Sequence, residues 1–82
     1  NNLDVYPNPS TGVFNISFSS DKIDDLNIRI LNLIGSQLYK ENKQQFVGEY
    51  TNEIILDNYA KGIYFLEIET SKEIIIKKVI LN

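Results

Sequence analysis

Apolar and polar side chains alternate along this sequence with a period of two residues, in short stretches that never lengthen into a helical stripe. Phe14, Ile16 and Phe18 fall on one side of an extended chain, and Asn15 and Ser17 on the other. Leu26, Ile28 and Ile30 alternate with Asn27 and Arg29. Tyr64, Leu66 and Ile68 alternate with Glu67 and Glu69, with Phe65 adding an aromatic to the second face. Successive side chains of a strand point to opposite faces, so each run reads as a strand with one buried and one wet side. Residues 3–6, 37–41, 51–56 and 74–81 supply further candidates. No window of ten or more residues carries apolar positions at helical spacing, and Ile, Val, Thr, Phe and Tyr abound where Ala appears once. About seven short strands divided by turn residues predict an all-β fold. The architecture expected is an immunoglobulin-like antiparallel β-sandwich of about seven strands, with a small closed barrel as the alternative.

The punctuation fits that reading. Pro7-Asn8-Pro9-Ser10-Thr11-Gly12 cannot continue a ladder, because two prolines lack donors and Asn8 is pushed extended by the proline after it. Ser19-Ser20-Asp21-Lys22 reads as a polar turn closed by Asp24-Asp25, and residues 42–45 as a polar loop. Asn32-Leu33-Ile34-Gly35 reads as a tight turn in which Gly35 takes positive φ. Asp57-Asn58 and Lys61-Gly62 bracket a short connector.

Composition narrows the chemistry. The 82 residues suit one domain, and they include no His, Cys, Met or Trp. That removes the usual zinc, haem and iron–sulfur ligands, every thiol nucleophile and any Ser–His dyad, so no catalytic residue, metal or cofactor is expected. A net charge of −3 and a single arginine, Arg29, argue against a nucleic-acid partner. Lys61, Lys77 and Lys78 are too few for a basic patch. No stretch approaches the roughly 20 apolar residues of a membrane span. The chain opens on Asn1-Asn2 instead of Met, which predicts a piece of a longer protein and, with Asn82 as natural terminus, its final module.

The remaining constellations each have a plain structural reading. Asp24-Asp25 with Asp21 could offer oxygens to Ca²⁺ but lack an EF-hand pattern, and a solvated acidic turn is the better account. Glu67 and Glu69 share a strand face without a sign of a cleft. Tyr39, Tyr50, Tyr59 and Tyr64 could stack against sugars, yet a chain without Trp needs its aromatics for the core. The run Glu73-Ile74-Ile75-Ile76-Lys77-Lys78-Val79-Ile80-Leu81 is apolar on both faces. It reads either as a central or well-packed last strand with the lysines as edge gatekeepers, or as a docking edge for a partner.

Three elements taken together carry a family resemblance: Val5-Tyr6-Pro7-Asn8-Pro9-Ser10-Thr11-Gly12 near the start, Gly62-Ile63-Tyr64 late, and Lys77-Lys78-Val79-Ile80-Leu81 at the end. With Asn32-Leu33-Ile34-Gly35 between them, the order and spacing resemble the type A C-terminal sorting domain of the type IX (Por) secretion system of Bacteroidetes, over essentially the whole chain. The resemblance implies an immunoglobulin-like β-sandwich that forms the end of a secreted cargo protein. It implies a non-catalytic signal carrying a passenger through the periplasm and across the outer membrane, to be removed at the cell surface by a sortase-like protease. The implied partners are the type IX translocon and an outer-membrane shuttle barrel. Tyr59 departs from the family pattern, which usually has a small apolar residue there.

On this reading residues 1–82 form a single sorting domain, with Asn1-Asn2 as residual linker. Tyr6, Pro7, Asn8, Pro9, Gly12, Gly62 and Tyr64 are expected to determine the fold: the prolines stiffen the entry loop, Gly12 needs a conformation other residues resist, and the Tyr64 hydroxyl satisfies a backbone group. Lys77, Lys78, Val79, Ile80 and Leu81 are expected to be recognised directly. A carbohydrate-binding or adhesive β-sandwich module of an extracellular protein is the alternative, and exchange of an exposed last strand would give a homodimer.

Overall fold

The alternating runs that begin at Phe14 and at Leu26 belong to one strand. In the computed structural model, which describes residues 3–82, β1 spans Asp4–Tyr6, β2 Val13–Leu31, β3 Gln37–Ile55, β4 Gly62–Glu69 and β5 Ile74–Leu81. Asn1-Asn2, expected as linker, lie outside the described residues. Every pairing between strands is antiparallel, in the order β1-β2-β4-β5, and β3 lies along the other edge of β2.

The all-β antiparallel class is as expected, but the count of about seven strands is corrected to five among the described residues. Two pairs of expected strands have fused. The polar stretches read as a turn (Ser19 to Asp25) and a loop (42–45) lie within β2 and β3, paired at Ser19, Ser20 and Asp24 and at Asn42 and Lys43. Register mismatches absorb the surplus: Ser20 pairs with Gly48, Asp24 with Phe46 and Leu26 with Lys43. Here Gln45 adopts φ +52°, and its N–H donates to Asp25 Oδ1 at 2.9 Å. Bulges bend a strand and increase its twist, so the long β2–β3 hairpin curls without breaking.

Inward positions keep step through the bend. Phe14, Ile16, Phe18, Leu26, Ile28 and Ile30 of β2 are all buried. They join Ile54, Leu56, Leu66, Ile68, Ile75, Val79 and others in one cluster. Ile28 and Ile68 face each other across β2 and β4 and are completely shielded. Each such side chain contributes about 1.5–3 kcal/mol of transfer free energy, and no cofactor or disulfide is needed to explain the core. Tyr50 and Tyr64 are buried and Tyr39 packs against the cluster, as a chain short of large aromatics requires.

The β2–β3 turn is built around Asn32. Its Oδ1 accepts from Ile34 N at 3.1 Å and Ser36 N at 2.9 Å, and Gly35 N, at φ +86°, donates to the Asn32 carbonyl at 3.0 Å. Among the described residues no helix is long and apolar enough to cross a membrane.

Candidate functional site

The terminal strand β5 is an edge strand and not a central one, packed onto the core along one face. It pairs with β4 along its whole length, from Glu69 opposite Ile74 to Gly62 opposite Leu81. Its alternation decides which residues a partner can reach. Ile75, Val79 and Leu81 are buried in the core, whereas Ile74 and Ile76 on the other face are 54% and 56% exposed. Of the five residues expected to be recognised, Val79 and Leu81 therefore hold the strand down, Lys77 and Ile80 are half-buried, and Lys78 is exposed. Lys77 shares the inward-facing parity of Ile75 and Val79. An inward charge on an edge strand discourages indiscriminate pairing, the gatekeeper role expected of the lysines. Neither Lys77 nor Lys78 takes part in the ion pairs among the described residues, which join Arg29 to Glu67 and Lys43 to Glu41.

The loop between β1 and β2 closes over this strand. The Asn8 side chain donates from Nδ2 to the Lys78 carbonyl at 2.8 Å and accepts from Ile80 N at 3.0 Å through Oδ1. Ser10 N donates to the Ile80 carbonyl at 2.9 Å, and Asn82 N to the Ser10 carbonyl at 2.7 Å, a parallel bridge between Ser10 and Leu81. Two motifs some seventy residues apart are thus one structural unit.

Ser10, in the loop that the sequence marks as unable to continue a ladder, has a structural role that the sequence did not single out. It is the one buried polar side chain of the described residues. Its Oγ donates to the Val13 carbonyl at 2.6 Å and accepts from Gly12 N and Val13 N, each at 3.1 Å. A serine two residues before a glycine in a polar loop is the signal that pointed to such a turn.

Gly12 has φ +142°, and a Cβ there would lie 3.0 Å from Asp57 Cβ and 3.2 Å from Asp57 Cα, so glycine is required on two counts. Its carbonyl accepts from Leu56 N at 2.6 Å, tying the loop to the end of β3. Pro7 and Pro9 both follow cis peptide bonds. Tyr6, expected to help determine the fold, has a side chain that is 52% exposed, and its carbonyl accepts from Asn15 Nδ2.

The late motif reaches the same place. Gly62 pairs with Leu81, and the buried Tyr64 donates its hydroxyl to the Ala60 carbonyl, as expected, fixing the connector before β4. Ala60 to Tyr64 and the turn residues Asn32, Leu33 and Ile34 line one shallow hollow. Leu33 and Ile34 stand out from it at 67% and 86% exposure. All four motifs singled out in the sequence thus meet at one end of the molecule, around Leu81.

The other candidates resolve into structural roles. Asp24 accepts from Ser71 N and Oγ, and Asp25 from Gln45 N. Burial pushes the Asp24 carboxyl up, but the bonds from Ser71 and Asp25 outweigh it and hold it below its ordinary value. Glu67 is engaged by Arg29. Among the described residues no three acidic groups are placed to hold a metal ion.

Tyr39 and Tyr50 turn their hydroxyls onto Glu41 Oε1, at 3.1 and 2.5 Å, with Asn52 Nδ2 bridging the two hydroxyls at 3.0 Å each. The Tyr50 hydroxyl holds the Glu41 carboxyl below its ordinary range, and burial pushes both phenols up. Residues 39 and 41 precede the bend in β3 and residues 50 and 52 follow it, so the cluster staples the bend.

A comparison with family models matches residues 4–82 to the family described as the secretion system C-terminal sorting domain. No curated protein matches the chain.

Proposed function

The chain belongs to the C-terminal sorting domains of the type IX secretion system, and from that premise we propose that residues 1–82 act as one non-catalytic address label on a passenger protein. Such a domain works with the type IX machinery and marks its cargo for the cell surface or the medium. The fuller reading is passage through the periplasm, hand-over to an outer-membrane shuttle barrel and translocon, and removal at the surface by a sortase-like protease. The curled hairpin, whose two halves contribute to one core, supports an immunoglobulin-like layering of the fold.

The observation that carries this reading is the convergence of the family's separated motifs on the end of β5. Lys78, with the half-buried Lys77 and Ile80, is the part of the terminal motif a receptor can touch. Val79 and Leu81 anchor that surface to the core, and the capped loop fixes its shape.

The experiment is export of a signal-peptide-bearing reporter fused to this domain in a type IX-competent host. The unmodified fusion is expected at the surface or in the medium. The doubly substituted Lys77→Glu, Lys78→Glu fusion, which spares the buried positions, is expected to remain in the periplasm. Undiminished export of the double variant removes recognition from the two lysines.

A further inference from the structure

We propose that the uncapped part of the β5 edge, at Ile74 and Ile76, takes an extended segment of a partner polypeptide as an added strand, with an acidic side chain beside Lys77. The inference rests on the sorting-domain reading and names how its terminal strand is held.

The direction of the backbone groups comes from the cap. The bonds made by Asn8 and Ser10 use the Lys78 carbonyl, the N–H and carbonyl of Ile80, and Asn82 N. Even-numbered residues of β5 therefore turn their backbone groups away from β4. A residue's N–H and C=O point to the same side of an antiparallel strand, and the side alternates along the chain. Ile74 and Ile76 consequently present two donors and two acceptors, in line with the capped groups. None of the backbone bonds made outside the strand ladders reaches either residue.

The edge already accepts a strand substitute. Residues 8–10 run parallel to the end of β5, and the Asn8 carboxamide fills the place of a peptide group. That substitute stops at Lys78. Toward Ile74 the same edge continues bare, beside two isoleucines more than half exposed. Long exposed apolar edges are normally blunted, because they template pairing with other chains.

The other long edge, along β3, is blunted. It carries Lys40, Lys43, Glu49 and Glu53 and is interrupted by bulges. β5 carries Lys78 at the capped end, and in the uncapped part only the inward Lys77, which supplies the charge argument. Lys77 is half-buried opposite Leu66, with no carboxylate paired to it. A neighbouring strand would place alternate side chains beside Ile74 and Ile76 on the outer face and beside Lys77 on the inner one. Aliphatic residues suit the first positions and an acidic residue the second. Strand addition supplies affinity through main-chain bonds and specificity through such alternate side chains.

The test uses isotope-labelled chain and the peptide acetyl-Val-Glu-Val-Glu-Val-amide. Binding is expected to shift the amide resonances of Ile74 and Ile76 and slow their hydrogen exchange, leaving the β3 edge unmoved. Ile76→Pro deletes one outward N–H without touching the bonds to β4, and is expected to weaken binding about tenfold. Lys77→Glu leaves the backbone intact and is expected to exchange preference for acetyl-Val-Lys-Val-Lys-Val-amide. Equal binding by Ile76→Pro, protection on β3 instead, or protection that grows with chain concentration in the absence of peptide (a second copy as the occupant) overturns the proposal. In the export assay, a normally secreted Ile76→Pro fusion sinks strand addition and leaves the sorting function standing. An unmodified fusion that is not exported sinks the sorting reading itself.

Discussion

Toward Ile80, the Asn8 side chain behaves as a peptide group: its Oδ1 takes the Ile80 N–H at 3.0 Å while its Nδ2 bonds the carbonyl of Lys78 at 2.8 Å. Asparagine alone among the short side chains offers both a donor and an acceptor in that plane. Asn8→Ala forfeits both bonds and is expected to cost about 1–2 kcal/mol. Asn8→Asp keeps the acceptor but sets a carboxylate oxygen against the Lys78 carbonyl, and is expected to cost more than the alanine. For a domain of this size each kcal/mol lowers the melting temperature by about 4–8 °C, so thermal melts of the two variants separate the contributions.

Two glycines test how space and backbone strain combine. At Gly62 an added Cβ would meet nothing within 4 Å, although φ is +151°. Gly62→Ala is expected to cost only the backbone term, about 1–3 kcal/mol. Gly12→Ala adds a collision with Asp57 to a comparable φ, and is expected to be the more damaging. Urea midpoints of the two proteins check the order.

The staple at the bend in β3 predicts a pH dependence. Glu41 sits below its ordinary value of 4.5, chiefly through the Tyr50 hydroxyl, with Tyr39 and Lys43 adding to the effect against a penalty from burial. A carboxyl whose folded pKa is depressed contributes stability that is present above its unfolded pKa and lost as pH falls through the folded one. Stability is therefore expected to decline as pH drops below about 4.5, and Glu41→Gln to flatten that limb. Tyr50 is displaced upward from 10.0, chiefly by burial and then by the bond to Glu41. Its contribution is complete below pH 10 and is lost above it. Chemical denaturation across the pH range reads both limbs.

Tyr64→Phe removes the bond to the Ala60 carbonyl without opening a cavity. The expected loss is about 0.5–1.5 kcal/mol, with local loosening of the connector visible as faster hydrogen exchange at Lys61 and Gly62. A comparable loss with no change in that exchange would deny the hydroxyl its positioning role.

How much of this was legible follows from which signals are local. The inward faces of Phe14, Ile16 and Phe18, of Leu26, Ile28 and Ile30, and of Tyr64, Leu66 and Ile68 were readable because alternation depends only on near neighbours. The continuity of β2 through Ser19 to Asp25 was not, because a polar bend and a polar turn share one composition. What distinguishes them is pairing with β3, a contact between distant residues. At the site, Tyr64 and Gly12 took the roles their chemistry suggested. Val79 and Leu81 did not separate from Lys78 until β4 and the core fixed which side of β5 faced in. Asn8 looked like a loop residue held by its flanking prolines, and its bond to a strand seventy residues onward left no trace nearby.

The bridge from Ser10 to Leu81 also governs timing. Contacts between sequence-distant segments form late, since a large loop must close before they repay its entropy. A chain leaving the ribosome can assemble the β2–β3 hairpin while β5 is still hidden in the tunnel. It cannot seat Val79 and Leu81 or receive the clasp from Asn8 until synthesis has passed them. Completion of this fold is thereby withheld from any molecule in which β5 has not yet been made.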